Sequence, residues 1–414
     1  MTLAELSVGL AMTPSAASET FMRIFFSAGE PSGDQHAAHL IAALKDRHAE
    51  FRAEGFGGPA MQQEGCSLLF ELTQLAVMGF LRVLPMLAKF RRLVIKAEQH
   101  FDQSPPDAVV LVDFPGFNWW IAKAAKKRGI PVYYYLPPQL WAWAPWRIKK
   151  VRRFIDKVIC ALPFEFDWYR SRGVDATWVG HPFFDEVASK QLDEGLLSEL
   201  RNSDQQKVIA VLPGSRNHEV DRNFPVMLDV IRKVSEAVPN VRWVVGNYRT
   251  EHVEECRRMQ KDKQLDADLT YYIDRTSEVI EAADCCLMVS GSISLELLAR
   301  RTPGVVLYRV ARYVRFGSKF FMTCKFFTLT NLIAGREVMP EFMSAGNPAA
   351  DVQKISTWLT ECCQSPQILQ QRREEMQELA DSTAVTGATE RTAELLLSDL
   401  VAADSKARDK SRAA

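Results

Sequence analysis

The sequence predicts an α/β protein: two doubly wound parallel-sheet domains facing each other across a cleft, followed by a helical C-terminal region. Three observations lead there. Short apolar, β-branched-rich runs alternate with segments of helical length, as strands joined by crossover helices do. The alternation breaks over a polar stretch at 183–206 and restarts at Val208. In both halves, glycine-containing loops stand where a strand ends and a helix opens, the edge at which open α/β sheets hold ligands.

Size and composition agree. A chain of 414 residues holds two or three domains. With 47% hydrophobic residues and acids balancing bases at 51 each, it has ample core and no excess charge for nucleic acid, which is not an expected partner. No apolar run approaches the ~18 residues of a membrane span. The eight cysteines include no Cys-x-x-Cys and read as reduced thiols of a cytoplasmic protein. The first 21 residues carry no Lys or Arg, so a secretory signal is not indicated. Residues 1–21 read as a disordered extension or a stretch upstream of the natural start at Met22.

The first domain is expected over 22–182. Ile24–Ala28 is a strand, followed by the loop Gly29-Glu30-Pro31-Ser32-Gly33-Asp34 and a helix from Gln35 to His48. Such a loop entering a helix offers N–H groups to an anion or sugar, although turn geometry alone also accounts for its glycines. His36 and His39 lie one helical turn apart; without a third ligand nearby in sequence they read as a packed or solvated helix face. Phe51–Gly57 is the next strand. The helix 80–101 mixes Phe80, Leu81, Val83, Leu84, Met86, Leu87, Phe90 and Leu93 with Arg82, Lys89, Arg91, Arg92 and Lys96. That composition suits an anionic membrane surface, and equally an amphipathic core helix with a basic outer side.

The apolar run Ala108–Val112 drives into Asp113 and then a Pro-Gly turn, with a helix from Asn118 to Arg128. A carboxylate just past a buried strand is either a turn or capping residue or an acid at the ligand edge. Pro131–Leu136, Val158–Leu162 and Thr177–Val179 complete the strands, with a short basic helix over Arg147–Arg153. Residues 183–206 read as the linker.

The second domain, 207–345, starts with strand Val208–Leu212 and the loop Pro213-Gly214-Ser215-Arg216-Asn217. Gly214 lets the backbone approach, Ser215 and its neighbours turn N–H groups outward, and Arg216 brings a fork for phosphate oxygens. A helix end alone contributes only ~0.3–1 kcal/mol to an exposed anion, so the cation matters. Ser290-Gly291-Ser292 repeats the arrangement, with Glu296 one turn into the helix where a carboxylate can hold ribose hydroxyls or simply be a surface acid. Together the loops indicate a nucleotide diphosphate. Asp266 and Asp268 fall between a helix and the next strand, the wrong edge for ligands, so no metal and no cofactor is expected. Helices follow over 346–404, and 405–414 is a charged tail with nothing to bury.

These segments carry a resemblance. The chain is similar to the lipid-A-disaccharide synthases through Ala28–Asp34, Gly57-Gly58-Pro59, Leu75–Gly79, Asp113 with Phe117-Asn118, Trp141-Ala142-Trp143, Leu162–Glu165 and Val179-Gly180-His181. The series continues with Leu212–Arg216, Glu219-Val220, Ser290-Gly291-Ser292 and Asn331–Glu337, all in order. Pro31, Pro137–Leu140, Ser292 and Thr330 depart from the usual family residues. The resemblance implies an inverting glycosyltransferase of the GT-B type, with two Rossmann-like domains. It would join UDP-2,3-diacylglucosamine to 2,3-diacylglucosamine 1-phosphate, giving a β-1,6 disaccharide 1-phosphate and UDP. It implies Asp113 as the base or acceptor-orienting acid, with Gly29, Glu30, Ser32, Gly33 and Asn118 on the acceptor or sugar side. Arg216 would carry the departing diphosphate, and Gly214, Ser215, Ser290, Gly291, Ser292, Glu296 and Asn331 would bind UDP. Acylated substrates imply work at the inner face of the cytoplasmic membrane, through helix 80–96 and the stretch Arg309, Arg312, Arg315, Phe316, Lys319, Phe320 and Phe321. Members of the family can pair as dimers through their C-terminal helices. The competing expectations are another UDP-sugar enzyme of the same fold, such as a UDP-N-acetylglucosamine 2-epimerase, and a non-catalytic nucleotide- or lipid-binding protein.

Overall fold

The computed structural model describes residues 21–76, 83–201, 206–321 and 324–413. Seven strands form the first sheet: β1 Met22–Ala28, β2 Phe51–Gly57, β3 Ser67–Glu71, β4 Ala108–Val112, β5 Val132–Tyr135, β6 Lys157–Cys160 and β7 Ala176–Trp178. Their order is β3-β2-β1-β4-β5-β6-β7, and every pairing is parallel. Six form the second: β8 Lys207–Leu212, β9 Val241–Asn247, β10 Leu269–Ile273, β11 Cys285–Met288, β12 Gly304–Arg309 and β13 Glu341–Ser344. Their order is β10-β9-β8-β11-β12-β13, again all parallel.

In each sheet the chain first builds outward on one side and then crosses to the other. The crevice between β1 and β4, and that between β8 and β11, are therefore topological switch points where ligands bind. Register fixes what meets there. Ala28 lies opposite Val112, placing Gly29 beside Asp113. Leu212 lies opposite Met288, placing the 213–216 loop beside 289–292. The β4 residues are wholly buried because helices cover both faces of the strand, which is why the run is unbrokenly apolar.

The predicted strands are present, with two additions at sheet edges. Ser67–Glu71 and Glu341–Ser344 are short and half-polar, so their pattern alone does not announce them. Four expectations need adjustment. The first helix begins at Pro31, not Gln35: proline at its first position needs no donor, so Ser32, Gly33 and Asp34 lie in the opening turn. The 183–206 stretch carries the helices Pro182–Ser189 and Glu194–Arg201. Phe184, Leu197 and Leu200 bury into the core beneath β8 and β11, so its polarity is only that of an outer face. The helix Val83–Gln103 continues two residues past the expected end at Phe101, while residues 80–82 lie outside those described. The final helix, Ala388–Ala413, continues through most of the expected tail. It returns to the first sheet, where Ala393, Leu396 and Leu400 pack with Ile24, Leu40 and Val110. The 1–20 stretch lies outside the described residues, and with it all but Phe21 of the extension.

Candidate active site

Asp113 and Phe114 both take left-handed backbone conformations, with φ of 45° at each. Non-glycine residues hold that conformation only where surroundings impose it. The surroundings here are Asn118 and Tyr134. Asn118 Nδ2 donates to the Asp113 carbonyl at 2.7 Å, and the Tyr134 hydroxyl donates to the same oxygen at 2.8 Å. Asn118 is itself fixed, accepting from Ser27 Oγ at 2.6 Å and donating to the Ser27 carbonyl at 3.1 Å. It is fully buried, so the expected sugar-side residue lies beneath the acid and acts on its backbone.

Asp113 lines a cavity of about 380 Å³ together with Ser32, Gly33, His36, Gln139, Glu165, His181 and Leu329. Burial pushes its carboxyl up, against the Phe114 N–H and the His36 charge, which pull it down. Glu165 is also buried, and desolvation raises it to about 7 although Trp141 Nε1 donates to it at 2.9 Å. His181 is held down to about 3 by burial and then by His36. In the sequence Glu165 and His181 stand only within motifs, with no role attached. Their signal was a lone polar residue directly after an apolar strand or within the turn that follows it.

At the turn after β1, Gly29 packs so closely that a Cβ would fall 2.2 Å from the Phe114 ring. Glu30, exposed at the helix start, has its carboxyl raised by partial desolvation and then by the Asp113 charge; Arg216 of the second sheet pulls it back down. Asp34 is structural, accepting from Gly58, Ala60 and Met61 N–H groups at 2.6, 3.0 and 3.2 Å.

Across the cleft the 213–216 loop differs from expectation. Glu219 folds back so that its carboxylate accepts from Ser215 N at 3.0 Å and Arg216 N at 3.3 Å. Those N–H groups are turned inward. Gly214, with φ of 123°, permits the fold because a Cβ would meet that of Glu219 at 2.6 Å. The Arg216 guanidinium donates to Glu219 at 3.2 Å yet remains 72% exposed, the cation of this loop free to reach an anion. Ser290, Gly291 and Ser292 line a second cavity, of about 240 Å³, with Gln139, Trp141 and Leu329. Gln139 and Leu329 border both cavities, so the space above Asp113 adjoins the space above the serine loop.

Two expected nucleotide contacts have partners within the fold. Asn331 is fully buried; its amide donates to the Met339 carbonyl and Glu341 and accepts from the Val338 and Met339 N–H groups, tying down the approach to β13. Glu296 is buried and accepts from Arg300 Nε at 3.0 Å, and Arg300 also reaches Glu281 at 3.2 Å. Asp266 and Asp268 precede β10, at the edge opposite these loops. His36 and His39 do meet a third group, Glu186 of the Pro182–Ser189 helix, which their sequence spacing does not reveal.

The site thus joins a half-buried acid from one sheet to an arginine and a serine–glycine loop from the other. The profile of one family, described as lipid-A-disaccharide synthetase, matches residues 24–394. The chain belongs to that family. A lipid-A-disaccharide synthase of Myxococcus xanthus is 34% identical over 378 residues, covering 90% of this chain and 97% of the relative. Lipid-A-disaccharide synthase 1 of Legionella pneumophila (strain Philadelphia 1) is 31% identical over 364 residues, covering 87% and 94%. Family membership makes the chain a hexosyltransferase, as the motifs imply. Among solved structures, UDP-GlcNAc 2-epimerase from Neisseria meningitidis bound to UDP-GlcNAc superposes with a TM-score of 0.60 at 13% identity, over 91% of this chain and 99% of that one. The glycotransferase of kitacinnamycin gives 0.59 at 15%, over 92% and 100%. These two show the shared GT-B fold alone.

Proposed function

We propose that this chain condenses UDP-2,3-diacylglucosamine with 2,3-diacylglucosamine 1-phosphate, with Asp113 acting on the acceptor and Arg216 on the donor diphosphate. The observation that carries the reading is the continuity of the Asp113 cavity with that of Ser290–Ser292 through Gln139 and Leu329. A sugar bridging them would present its anomeric carbon between an acid and a leaving group.

The 6-hydroxyl oxygen of the acceptor attacks the anomeric carbon from the face opposite the diphosphate. The new C–O bond forms as the bond to phosphate breaks, UDP leaves with the electron pair, and the configuration inverts. The hydroxyl proton passes to Asp113, whose burial makes it a stronger base than an exposed carboxylate. A positioned base contributes roughly 10²–10⁴ in rate. Arg216 meets the charge building on the diphosphate, and the Gly214–Ser215 turn aims it through Glu219. Gly29, Glu30, Ser32 and Gly33 border the acceptor side.

Acylated substrates put this reaction at a membrane surface, and two exposed faces fit. On the Val83–Gln103 helix, Leu87 and Ile95 stand exposed among Lys89, Arg91 and Arg92. Trp120 and Trp146 stand exposed on neighbouring segments beside Lys123 and Arg147. On the helix Arg312–Phe321, Tyr313 and Phe316 are 79% and 69% exposed. No helix among the described residues is long and apolar enough to cross a membrane. Arg309 is no part of this surface, because its guanidinium donates to Ser344 and the Gly346 carbonyl. The side chains of Lys319, Phe320 and Phe321 lie outside the described residues. Pairing of two chains through the C-terminal helices belongs to the same reading, and sedimentation velocity checks it.

UDP release with defined acceptors tests the assignment. Release that needs a diacylated acceptor phosphate supports it; release or epimerisation of UDP-N-acetylglucosamine without acceptor would favour the fold neighbours' chemistry instead.

A further inference from the structure

We propose that His36, His39 and Glu186 form a binding site for a divalent transition metal, with Zn²⁺ its natural test ion. His36 and His39 stand three residues apart on the Pro31–Arg47 helix, so both imidazoles leave the same face. Glu186, from the Pro182–Ser189 helix, reaches between them: its Oε1 lies 3.3 Å from His36 Nδ1 and 3.9 Å from His39 Nδ1. The three ligand atoms all lie within 4.8 Å of one another.

The second observation is that His36 Nδ1 and Glu186 Oε1 are both buried and face each other at ion-pair distance, with no aligned hydrogen bond to any described residue. Buried polar atoms are normally satisfied by aligned hydrogen bonds, and an ion held between these two would satisfy both. The spacing suits an ion. Nitrogen and oxygen bound to Zn²⁺ at ~2.0–2.2 Å stand about 3.4 Å apart around a tetrahedron. The His36–Glu186 separation already has that value, and His39, half exposed, can swing in to complete the set. Two imidazoles and one carboxylate select a zinc-like ion over Mg²⁺ or Ca²⁺, which prefer oxygen donors. The fourth position would be left to water. His181, with its ring 6.4 Å from that of His36, uses Nδ1 to accept the Phe183 N–H and stands behind the site.

The location gives the site a mechanical meaning. The Pro182–Ser189 helix follows the first sheet, packs against the Ile293–Ala299 helix of the second, and holds the start of the last helix through Asp185 and Thr389 N. A metal here would pin the first helix of the first sheet to the segment that joins the two halves. It plays no part in holding the donor diphosphate.

The full chain, stripped with chelator and desalted, is titrated in parallel with Zn²⁺ and Mg²⁺. Retained metal is read by mass spectrometry and the thermal midpoint by calorimetry. One Zn²⁺ per chain, no retained Mg²⁺ and a raised midpoint are expected. Glu186→Gln and His39→Asn should each weaken Zn²⁺ binding by at least about tenfold, since even an outer-shell partner contributes that much. His39 is exposed enough that its replacement leaves the metal-free fold unchanged, which the midpoint without Zn²⁺ verifies. Absence of Zn²⁺ retention, or equal retention by both variants, would overturn the site and leave a histidine–carboxylate ion pair.

Discussion

Asn118 Nδ2 lies 2.7 Å from the carbonyl oxygen of Asp113, so a buried amide holds the backbone of the acid that faces the cleft. The same amide bonds Ser27 on the neighbouring strand, coupling the ends of β1 and β4. Replacing Asn118 by Ala removes these bonds and leaves Ser27 and the Asp113 carbonyl short of partners. The expected cost is about 2–4 kcal/mol of stability, because unsatisfied buried groups lose ~1–3 kcal/mol each. Turnover should fall with it while UDP affinity holds. Denaturant unfolding and UDP titration check the two halves of that statement.

Glu165 supplies a pH signature. Its carboxyl is raised from 4.5 to about 7 by burial, so the unfolded chain ionises it more readily than the folded one. Folding is unpenalised below about pH 4.5 and loses stability as pH rises towards 7, with the full penalty present above it. Glu165→Gln keeps an acceptor for Trp141 and cannot ionise. It should raise stability by up to about 3 kcal/mol at pH 8 and leave pH 4 nearly unchanged, given ~1.4 kcal/mol per pK unit. Equal effects at both pH values, in thermal unfolding, would count against a buried ionisable Glu165.

Arg216→Ala should weaken UDP binding by about tenfold or more, the scale of a charge-assisted phosphate contact. Glu219→Gln tests the aiming of that arginine: it keeps hydrogen-bonding capacity but loses charge, and should reduce affinity less. Isothermal titration with UDP separates them, and unchanged affinity in Arg216→Ala would remove it from the donor site.

Tyr313→Ser combined with Phe316→Ser should lower co-sedimentation with anionic lipid vesicles without changing UDP affinity. Raising salt should weaken the remaining binding further, because Arg312 and its neighbours act through screened charge. Vesicle binding equal to the unaltered chain would move the membrane contact elsewhere.

Much of this was legible in the sequence, for identifiable reasons. Strands such as Ala108–Val112 are buried on both faces, and their unbroken apolar runs declare them. Asp113, Arg216 and Ser290–Ser292 stand at strand ends, so chain order alone places them at the ligand edge. What was not legible depends on side-chain direction and distant partners. Asn118 and Asn331 sit in conspicuous motifs, yet both tie their amides to groups within the fold. Glu219 captures N–H groups that the loop pattern offers to phosphate. Glu186 comes 150 residues after His36, and only the packing of two helices brings them together. The 183–206 helices were masked by polarity, since a surface helix needs only one apolar stripe, here Phe184, Leu197 and Leu200.

In this mechanism Asp113 takes the acceptor proton at a cleft whose donor side stands apart from it. Asp113→Asn, which preserves shape, should be assayed for UDP release under single turnover with both substrates saturating, alongside titration of the UDP-sugar. Release should slow by roughly 10²–10⁴, with donor affinity within a few-fold of the unaltered chain. A near-normal rate would remove Asp113 from the chemistry.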